Sequence, residues 1–174
     1  MPPAPGRRLP VNSHNNPYDA GRPYAYGRVS PPSGMNGRVL VPLTDSAHSW
    51  PGLEHALERF PDTDVVVMNV VDPAGAGYGE RSADATADDA DATATPAETL
   101  FDAADELASE HGRTLDTALV EGRPAEAIVA FAEEHDVDAI VMGSRGRSGV
   151  SRVLLGSVAG TVVQDAPVPV TVVP

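Results

Sequence analysis

The stretch from residue 137 to residue 157 constrains the fold of this 174-residue chain more than any other. It reads V-D-A-I-V-M-G-S-R-G-R-S-G-V-S-R-V-L-L-G-S, an apolar run followed by repeated glycines. The run predicts a buried strand and residues 157–165 predict a helix, so the glycines fall in a strand-to-helix loop. Glycine lets a ligand approach the backbone, and free N–H groups at a helix N-terminus favour an anion. The stretch is therefore typical of a phosphate-binding loop.

Apolar runs alternate with stretches of helical spacing along the rest of the chain. Strands are predicted at 38–43, 65–71, 114–120, 138–142 and 168–173, and helices at 47–60, 96–111, from 122 onward and at 156–166. Ser46 is the predicted N-cap of the first helix. This βαβαβαβαβ order predicts one α/β domain, a parallel sheet with helices on both faces.

The last predicted strand is expected at an edge of the sheet. Prolines flank Val168 on both sides, and proline is confined to edge strands because it has no N–H to donate. An unpaired apolar edge strand is usually covered by another element or chain, and a partner subunit is expected to pair with this one.

Two segments lack the pattern of a folded element. Residues 1–34 are rich in Pro, Gly, Asn and Tyr and are predicted to be disordered. They are either a tail that binds a partner through its tyrosines or the product of a misassigned start, with translation beginning at Met35. Residues 74–95 are predicted to be a mobile acidic loop, either solvated surface or a lid over a ligand. The folded domain is thus predicted at 35–174.

The charge is unevenly distributed. The net charge is −13, yet residues 1–34 contain four arginines against one aspartate, while 35–174 contain eight arginines against 24 acidic residues. An acidic surface without lysine is expected of a protein from a concentrated-salt habitat, and a GC-rich genome is the alternative explanation. Nucleic acid needs a basic patch, so this surface argues against it as a partner.

Several other classes of function lack their signatures. Without cysteine there is no disulfide, thiol catalysis or Cys-based metal site. The five histidines show no metal-ligand spacing, and the chain contains neither G-x-S-x-G nor a Walker A sequence. No apolar stretch reaches about 18 residues and no signal peptide is evident, so a cytoplasmic protein without a membrane partner is expected.

The spacing Gly143-x2-Gly146-x9-Gly156-Ser157 resembles the G-x2-G-x9-G-[S/T] pattern of the universal stress protein family. V-L-V-P-L, V-M-N-V-V-D-P and A-P-V-P-V-T-V-V resemble that family's first, second and last strands, and the resemblance covers residues 36–174. It implies a Rossmann-like five-stranded parallel sheet of order 3-2-1-4-5, as in adenine nucleotide alpha hydrolases. It also implies a homodimer through the edge strand Val168 to Val173, and ATP as ligand.

The resemblance also assigns site residues. The strand order reverses between strands one and four, and ligands of open α/β sheets bind at such a reversal. The residues implied to contact adenine or ribose are Pro42, Leu43 and Val70, and those implied to line ribose and phosphates are Met142, Gly143, Gly146, Gly156, Ser157 and Val158. Arg145, Arg147 and Arg152 fall in the same loop and are expected either to offset phosphate charge or only to keep the surface soluble.

One departure from the family pattern leaves two interpretations open. Nucleotide-binding relatives usually read P-V-D-G-S after the first strand, whereas this chain reads Pro42-Leu43-Thr44-Asp45-Ser46, with Thr44 at the acidic position. Either Asp45 serves ribose or a nucleotide-bound Mg²⁺, or the site is degenerate. The predicted function is an ATP-dependent stress-response module with at most slow hydrolysis and no assigned catalytic residue. The alternatives are a dimeric interaction protein that binds no nucleotide and an adenine-nucleotide-transfer enzyme, for which a second-substrate signature is missing.

Overall fold

The computed structural model describes residues 25–26, 37–73, 95–144 and 155–174. Within these ranges six strands and four helices follow one another. Their bounds are β1 Ala25–Tyr26, β2 Arg38–Pro42, α1 Trp50–Arg59, β3 Asp64–Val71, α2 Pro96–Glu110, β4 Asp116–Glu121, α3 Pro124–Glu134, β5 Ala139–Gly143, α4 Ser157–Asp165 and β6 Val170–Val173.

The strands form one sheet in the order β1-β4-β3-β2-β5-β6. The pairs from β4 to β6 are all parallel. Counted without β1, this is the predicted order 3-2-1-4-5, so the predicted fold class is confirmed. The order reverses at β2, which lies between β3 and β5, and β6 lies at an edge as its prolines indicated.

The short strand β1 was not expected from the sequence. Ala25 and Tyr26 fall within the segment predicted to be disordered, yet they pair antiparallel with β4, opposite Val120 and Leu119. For these two residues the prediction of disorder is wrong. A two-residue strand has no periodicity to detect, because its pairing depends on a distant neighbour rather than on a local pattern. The other residues of the segment, and Met35 after it, lie outside the described residues.

Helices cover both faces of the sheet. Val39 and Val41 of β2 point to the face covered by α1 and α2, whereas Leu40 points to the face covered by α3 and α4. The same alternation continues in β3, where Val66 and Met68 join Leu40. Central parallel strands buried on both faces need near-continuous apolar sequence, which is why the runs of valine predicted them.

Several boundaries differ from the predictions by one to three residues, and two of these differences have a clear cause. Helix α1 begins at Trp50 with Ser49 as N-cap, so the predicted N-cap at Ser46 is wrong. The intervening residues form a turn in which the Ser49 N–H donates to the Ser46 carbonyl. Strand β6 begins at Val170, because Pro169 lacks an N–H and only its carbonyl takes part in pairing, by accepting from the Ile140 N–H.

Helix α2 has a complete cap of its own. The Thr95 hydroxyl accepts a hydrogen bond from the Glu98 N–H, and the Glu98 carboxylate accepts one from the Thr95 N–H at 2.7 Å. These bonds from the Thr95 backbone and side chain lower the pKa of Glu98. The other residues of the predicted acidic loop, 74–94, lie outside the described residues. Among the residues that are described, no helix has the length and apolarity to cross a membrane.

Candidate functional site

The carboxyl ends of β2, β3 and β5 meet at the point where the strand order reverses. Strand β2 ends at Pro42 and β5 ends at Gly143. The two strands pair in parallel, with Leu40 opposite Ile140, so their ends lie at the same level of the sheet. Ligands of open α/β sheets bind in the crevice at such a reversal. The predicted site residues that the structure describes are distributed around this crevice.

The chain leaving β2 is fixed by strand β3. The Leu43 N–H donates to the Met68 carbonyl at 2.8 Å, and the Asn69 side-chain amide donates to the Leu43 carbonyl at 2.9 Å. Leu43 is 1% exposed, so its side chain belongs to the core and both its backbone groups are engaged. Leu43 therefore defines the wall of the crevice without offering it apolar surface. Met142 is likewise a core residue.

A second set of hydrogen bonds holds the loop from Thr44 to Ser46. The Ser49 hydroxyl accepts from the Thr44 N–H at 3.2 Å and lies 2.8 Å from the carbonyl oxygens of both Thr44 and Ser46. The Ser46 N–H in turn donates to the Thr44 hydroxyl at 3.3 Å. Ser49 is 6% exposed, so this arrangement is largely shielded from water. The loop is preorganised, with Thr44 and Asp45 exposed on its outer side.

Gly143 permits a close approach between β5 and the start of α1. A Cβ on Gly143 would overlap the His48 carbonyl oxygen and would lie 3.0 Å from the Ser49 Cα. A Cβ on Gly52 would lie 3.0 Å from the Gly143 nitrogen. Backbone thus packs on backbone at this point, and packing by itself accounts for glycine at position 143. The resemblance had assigned Gly143 to the ligand.

The N-terminus of α4 is held beside the end of β5. The Ser144 N–H donates to the Val173 carbonyl at 2.7 Å, and the Gly156 N–H donates to the Ser144 carbonyl at 3.1 Å. The first helical bond runs from the Gly160 N–H to the Gly156 carbonyl. The intervening N–H groups, those of Ser157, Val158 and Ala159, therefore have no acceptor within the helix.

Among the described residues, no side chain caps α4. Its N-cap, Gly156, has φ −56° and ψ 157°, a conformation open to any residue. The backbone therefore does not require glycine at this position, and the effect of glycine is to leave the helix end without a capping oxygen. No described residue accepts from these three N–H groups, so they and the positive end of the helix dipole favour an anion at this position. Ser157 beside them is exposed.

Three apolar residues at this edge keep part of their surface exposed. Pro42, Val70 and Val158 are half-buried, and the two valines pack against the core beneath them. The predicted residues Arg145, Gly146 and Arg147 lie outside the described residues, as does Arg152. Among the described residues, no group of three or more His, Asp or Glu side chains is arranged to hold a metal ion.

Two residues of this edge were missed from the sequence. Asn69 had a signal, since it is the polar residue inside the apolar run V-V-V-M-N-V-V and a buried strand rarely keeps such a residue without a hydrogen-bond partner. Ser49 had none, because a serine just before a helix predicts a cap, whereas this hydroxyl bonds backward to the loop.

The family model described as the universal stress protein family matches residues 35–174. This chain belongs to that family. The matched region includes β2 to β6 and all four helices, so the family domain and the parallel sheet coincide.

Comparisons with individual members of the universal stress protein family agree. A universal stress protein of Methanocaldococcus jannaschii is 49% identical over 67 residues, which are 38% of this chain and 39% of that protein. The chain thus matches about two fifths of the length of that curated relative. The solved universal stress protein of Archaeoglobus fulgidus has a TM-score of 0.60 and 26% identity, over 79% of this chain and 98% of that one.

A plant member of the family was solved with a nucleotide. The universal stress protein of Arabidopsis thaliana with AMP bound has a TM-score of 0.54 and 18% identity, over 79% of this chain and 90% of that one. At this identity the likeness shows the shared fold.

Proposed function

We propose that this universal stress family member is a stress-response module that binds an adenine nucleotide at the crevice between β2 and β5. The observation on which the proposal rests is the uncapped N-terminus of α4 at the reversal of strand order. Backbone N–H groups fixed at the end of a helix bind phosphate oxygens without rearrangement. The AMP complex of the Arabidopsis relative supports an adenine nucleotide as the ligand class.

Local positive charge is required, because the domain as a whole is strongly acidic. A triphosphate approaching a domain with 24 acidic residues and eight arginines is repelled unless the site itself supplies compensation. The helix dipole supplies one part. Arg145 and Arg147 lie shortly after the end of β5 in the sequence. They are proposed to supply another part of the positive charge, through charge-assisted hydrogen bonds to phosphate.

The base and ribose are proposed to lie over the half-buried apolar residues Pro42, Val70 and Val158. Asn69 has a positioning role, since its bond to the Leu43 carbonyl sets the wall against which the base packs. ATP is proposed as the nucleotide, with Mg²⁺ bound through its phosphates. Asp45, which is exposed in the preorganised loop, is proposed as the protein carboxylate that serves the ribose or this Mg²⁺.

The assembly is proposed to be a cytoplasmic homodimer that forms through β6. This strand lies at an edge of the sheet, and all four of its residues are half-buried within a single chain. An edge strand with free backbone groups is a template for pairing with a second chain.

The second candidate function is a dimeric interaction protein that binds no nucleotide. It is favoured by one observation, Thr44 at the position where relatives with a nucleotide usually have aspartate. The Thr44 hydroxyl accepts from the Ser46 N–H and so serves the loop itself.

Two substitutions at one residue test the proposed phosphate site. Ser157→Pro deletes the first N–H of α4 and keeps the helix, because proline is well tolerated at the first helical position and the ψ of Gly156 suits the residue before it. Ser157→Ala keeps that N–H and deletes only the hydroxyl. Loss of one hydrogen bond to a charged group predicts about a tenfold or greater loss of ATP affinity in the proline variant.

The measurement is a titration of each chain with ATP and with adenosine, in concentrated salt. The alanine variant is expected to bind ATP within about threefold of the parent, since the hydroxyl is not the proposed donor. Adenosine has no phosphate, so its affinity is expected to be equal in the three chains. A proline variant that binds ATP as the parent does would refute the phosphate site. Absence of ATP binding in a folded parent chain would favour the interaction protein.

A further inference from the structure

The outer edge of the sheet opposite β6 is paired by the chain's own N-terminal segment. Strand β4 is the outermost parallel strand, and β1 lies beside it, with Ala25 opposite Val120 and Tyr26 opposite Leu119. A strand edge with unpaired N–H and C=O groups attracts pairing from other chains. The two edges of the sheet therefore differ, since β1 covers one and β6 forms the other.

The direction of the backbone N–H and C=O groups shows which of the two residue pairs between β1 and β4 is joined by hydrogen bonds. The Gly122 N–H donates to the Val71 carbonyl of β3. Backbone groups alternate in direction along a strand, so the N–H of Val120 also faces β3 and that of Leu119 faces the opposite side, toward β1. Leu119 and Tyr26 are thus the pair that exchanges both hydrogen bonds, while Ala25 and Val120 form the pair without them.

The same chain can supply this strand. Antiparallel pairing directs the chain after Tyr26 toward the amino ends of the parallel strands, where β2 begins just after Gly37. Gly37 lies three strand spacings across the sheet from Tyr26 and about six residues along the strand direction. The straight distance between the two residues is therefore roughly 24 Å. The eleven residue steps between them span up to about 36 Å when extended. The connection therefore reaches without a second copy.

We propose that the β4 edge is a strand-addition surface and that Ala25–Tyr26 occupy it in cis, which closes this edge to other chains. Ala25 and Tyr26 are then part of the folded sheet. This inference is independent of the nucleotide site, because it concerns the opposite side of β4 from β3.

Two proline variants of the full-length chain test it by amide hydrogen exchange. Tyr26→Pro deletes the N–H that pairs with the Leu119 carbonyl, whereas Ala25→Pro deletes an N–H that faces outward, where an edge strand tolerates proline. Exchange of the Leu119 amide is expected to accelerate about tenfold or more in the Tyr26 variant and to stay near the parent rate in the Ala25 variant. The Val120 amide, bonded to β3, is expected to keep its rate in both.

A measurement on the unsubstituted chain keeps the proposal open to refutation if a variant misfolds. The α protons of Ala25 and Val120 face each other at close range in a pair of this type, so a nuclear Overhauser effect between them is expected. In a mixture of isotope-labelled and unlabelled chains, no such effect is expected between molecules. An intermolecular effect, or a Leu119 amide that exchanges as fast in the parent as in the Tyr26 variant, would overturn closure in cis.

Discussion

Helices α2 and α4 begin in opposite ways. At the start of α2, the Thr95 hydroxyl and the Glu98 carboxylate satisfy backbone N–H groups within the same turn. At the start of α4, Gly156 provides no side-chain oxygen, and the N–H groups of the first turn have no helical acceptor. The sequence thus caps the start of α2 by itself, whereas no described residue caps the start of α4. A helix N-terminus without a cap indicates a candidate ligand site when it lies at the edge of the sheet where this fold class binds ligands.

Gly143 ends β5 beside the N-terminus of α4. Substitution of Gly143 has the largest expected effect on stability. Gly143→Ala places a Cβ against the His48 carbonyl oxygen and the Ser49 Cα, which are backbone atoms that cannot turn aside. Overpacking of this kind predicts a loss of about 1–3 kcal/mol in the free energy of unfolding, or more.

The matched control for that substitution lies in α4. A Cβ on Gly160 meets no atom within 4 Å, and the residue is inside the helix, so Gly160→Ala is expected to raise stability by about 0.5–1 kcal/mol. Denaturant unfolding of both variants measures the difference. Equal effects of the two substitutions would contradict the backbone contact at Gly143.

Giving α4 the kind of cap that α2 has should abolish the difference between the two helices. Gly156→Asp supplies a capping carboxylate, which competes with and repels a phosphate at the same N–H groups. ATP affinity is expected to fall about tenfold or more, while the helix gains a few tenths of a kcal/mol. The neutral variant Gly156→Asn offers the same cap without the charge, so its loss of affinity is expected to be smaller. Undiminished ATP binding in the aspartate variant would mean that phosphate lies elsewhere.

Removing the cap of α2 is the reciprocal change. Thr95→Ala deletes the hydroxyl that accepts from the Glu98 N–H, and the expected cost is about 1 kcal/mol of stability. ATP affinity is expected to be unchanged. Thermal unfolding and an ATP titration on the same sample check the two expectations, and a coupled loss of affinity would connect α2 to the site.

The smallest expected effect is on the pH dependence of stability. The hydrogen bonds from Thr95 lower the pKa of Glu98 in the folded chain. Because the pKa of Glu98 is lower in the folded chain than in the unfolded one, its ionised carboxylate stabilises the fold at pH values above the unfolded pKa of 4.5. This stabilisation is lost as the pH falls from 4.5 toward the folded pKa. Glu98→Gln is therefore expected to lose less stability than the parent on acidification through this window. Parallel stability profiles for the two chains would contradict this role of the carboxylate.

The extent to which the sequence predicted these features follows from the range of the interactions. The parallel sheet was predictable because buried valine runs are local patterns, whereas the order of its strands was implied by the family resemblance. The strand at Ala25–Tyr26 was not, because its pairing partner is brought near only by the fold. The bonds of the Ser49 hydroxyl were not either, because a serine just before a helix predicts a cap and this one bonds backward to the loop. Gly143 was predicted as a site residue for its type, but its close contact with His48 is visible only in three dimensions.

The difference between α2 and α4 can be measured directly by following backbone amides during an ATP titration. If phosphate binds at the open helix end, the amide resonances of Ser157, Val158 and Ala159 shift with ATP and shift much less with adenosine. The Glu98 amide at the capped start of α2 keeps its position with both ligands. ATP binding that leaves the first turn of α4 unperturbed, or shifts only residues far from it, would contradict the account.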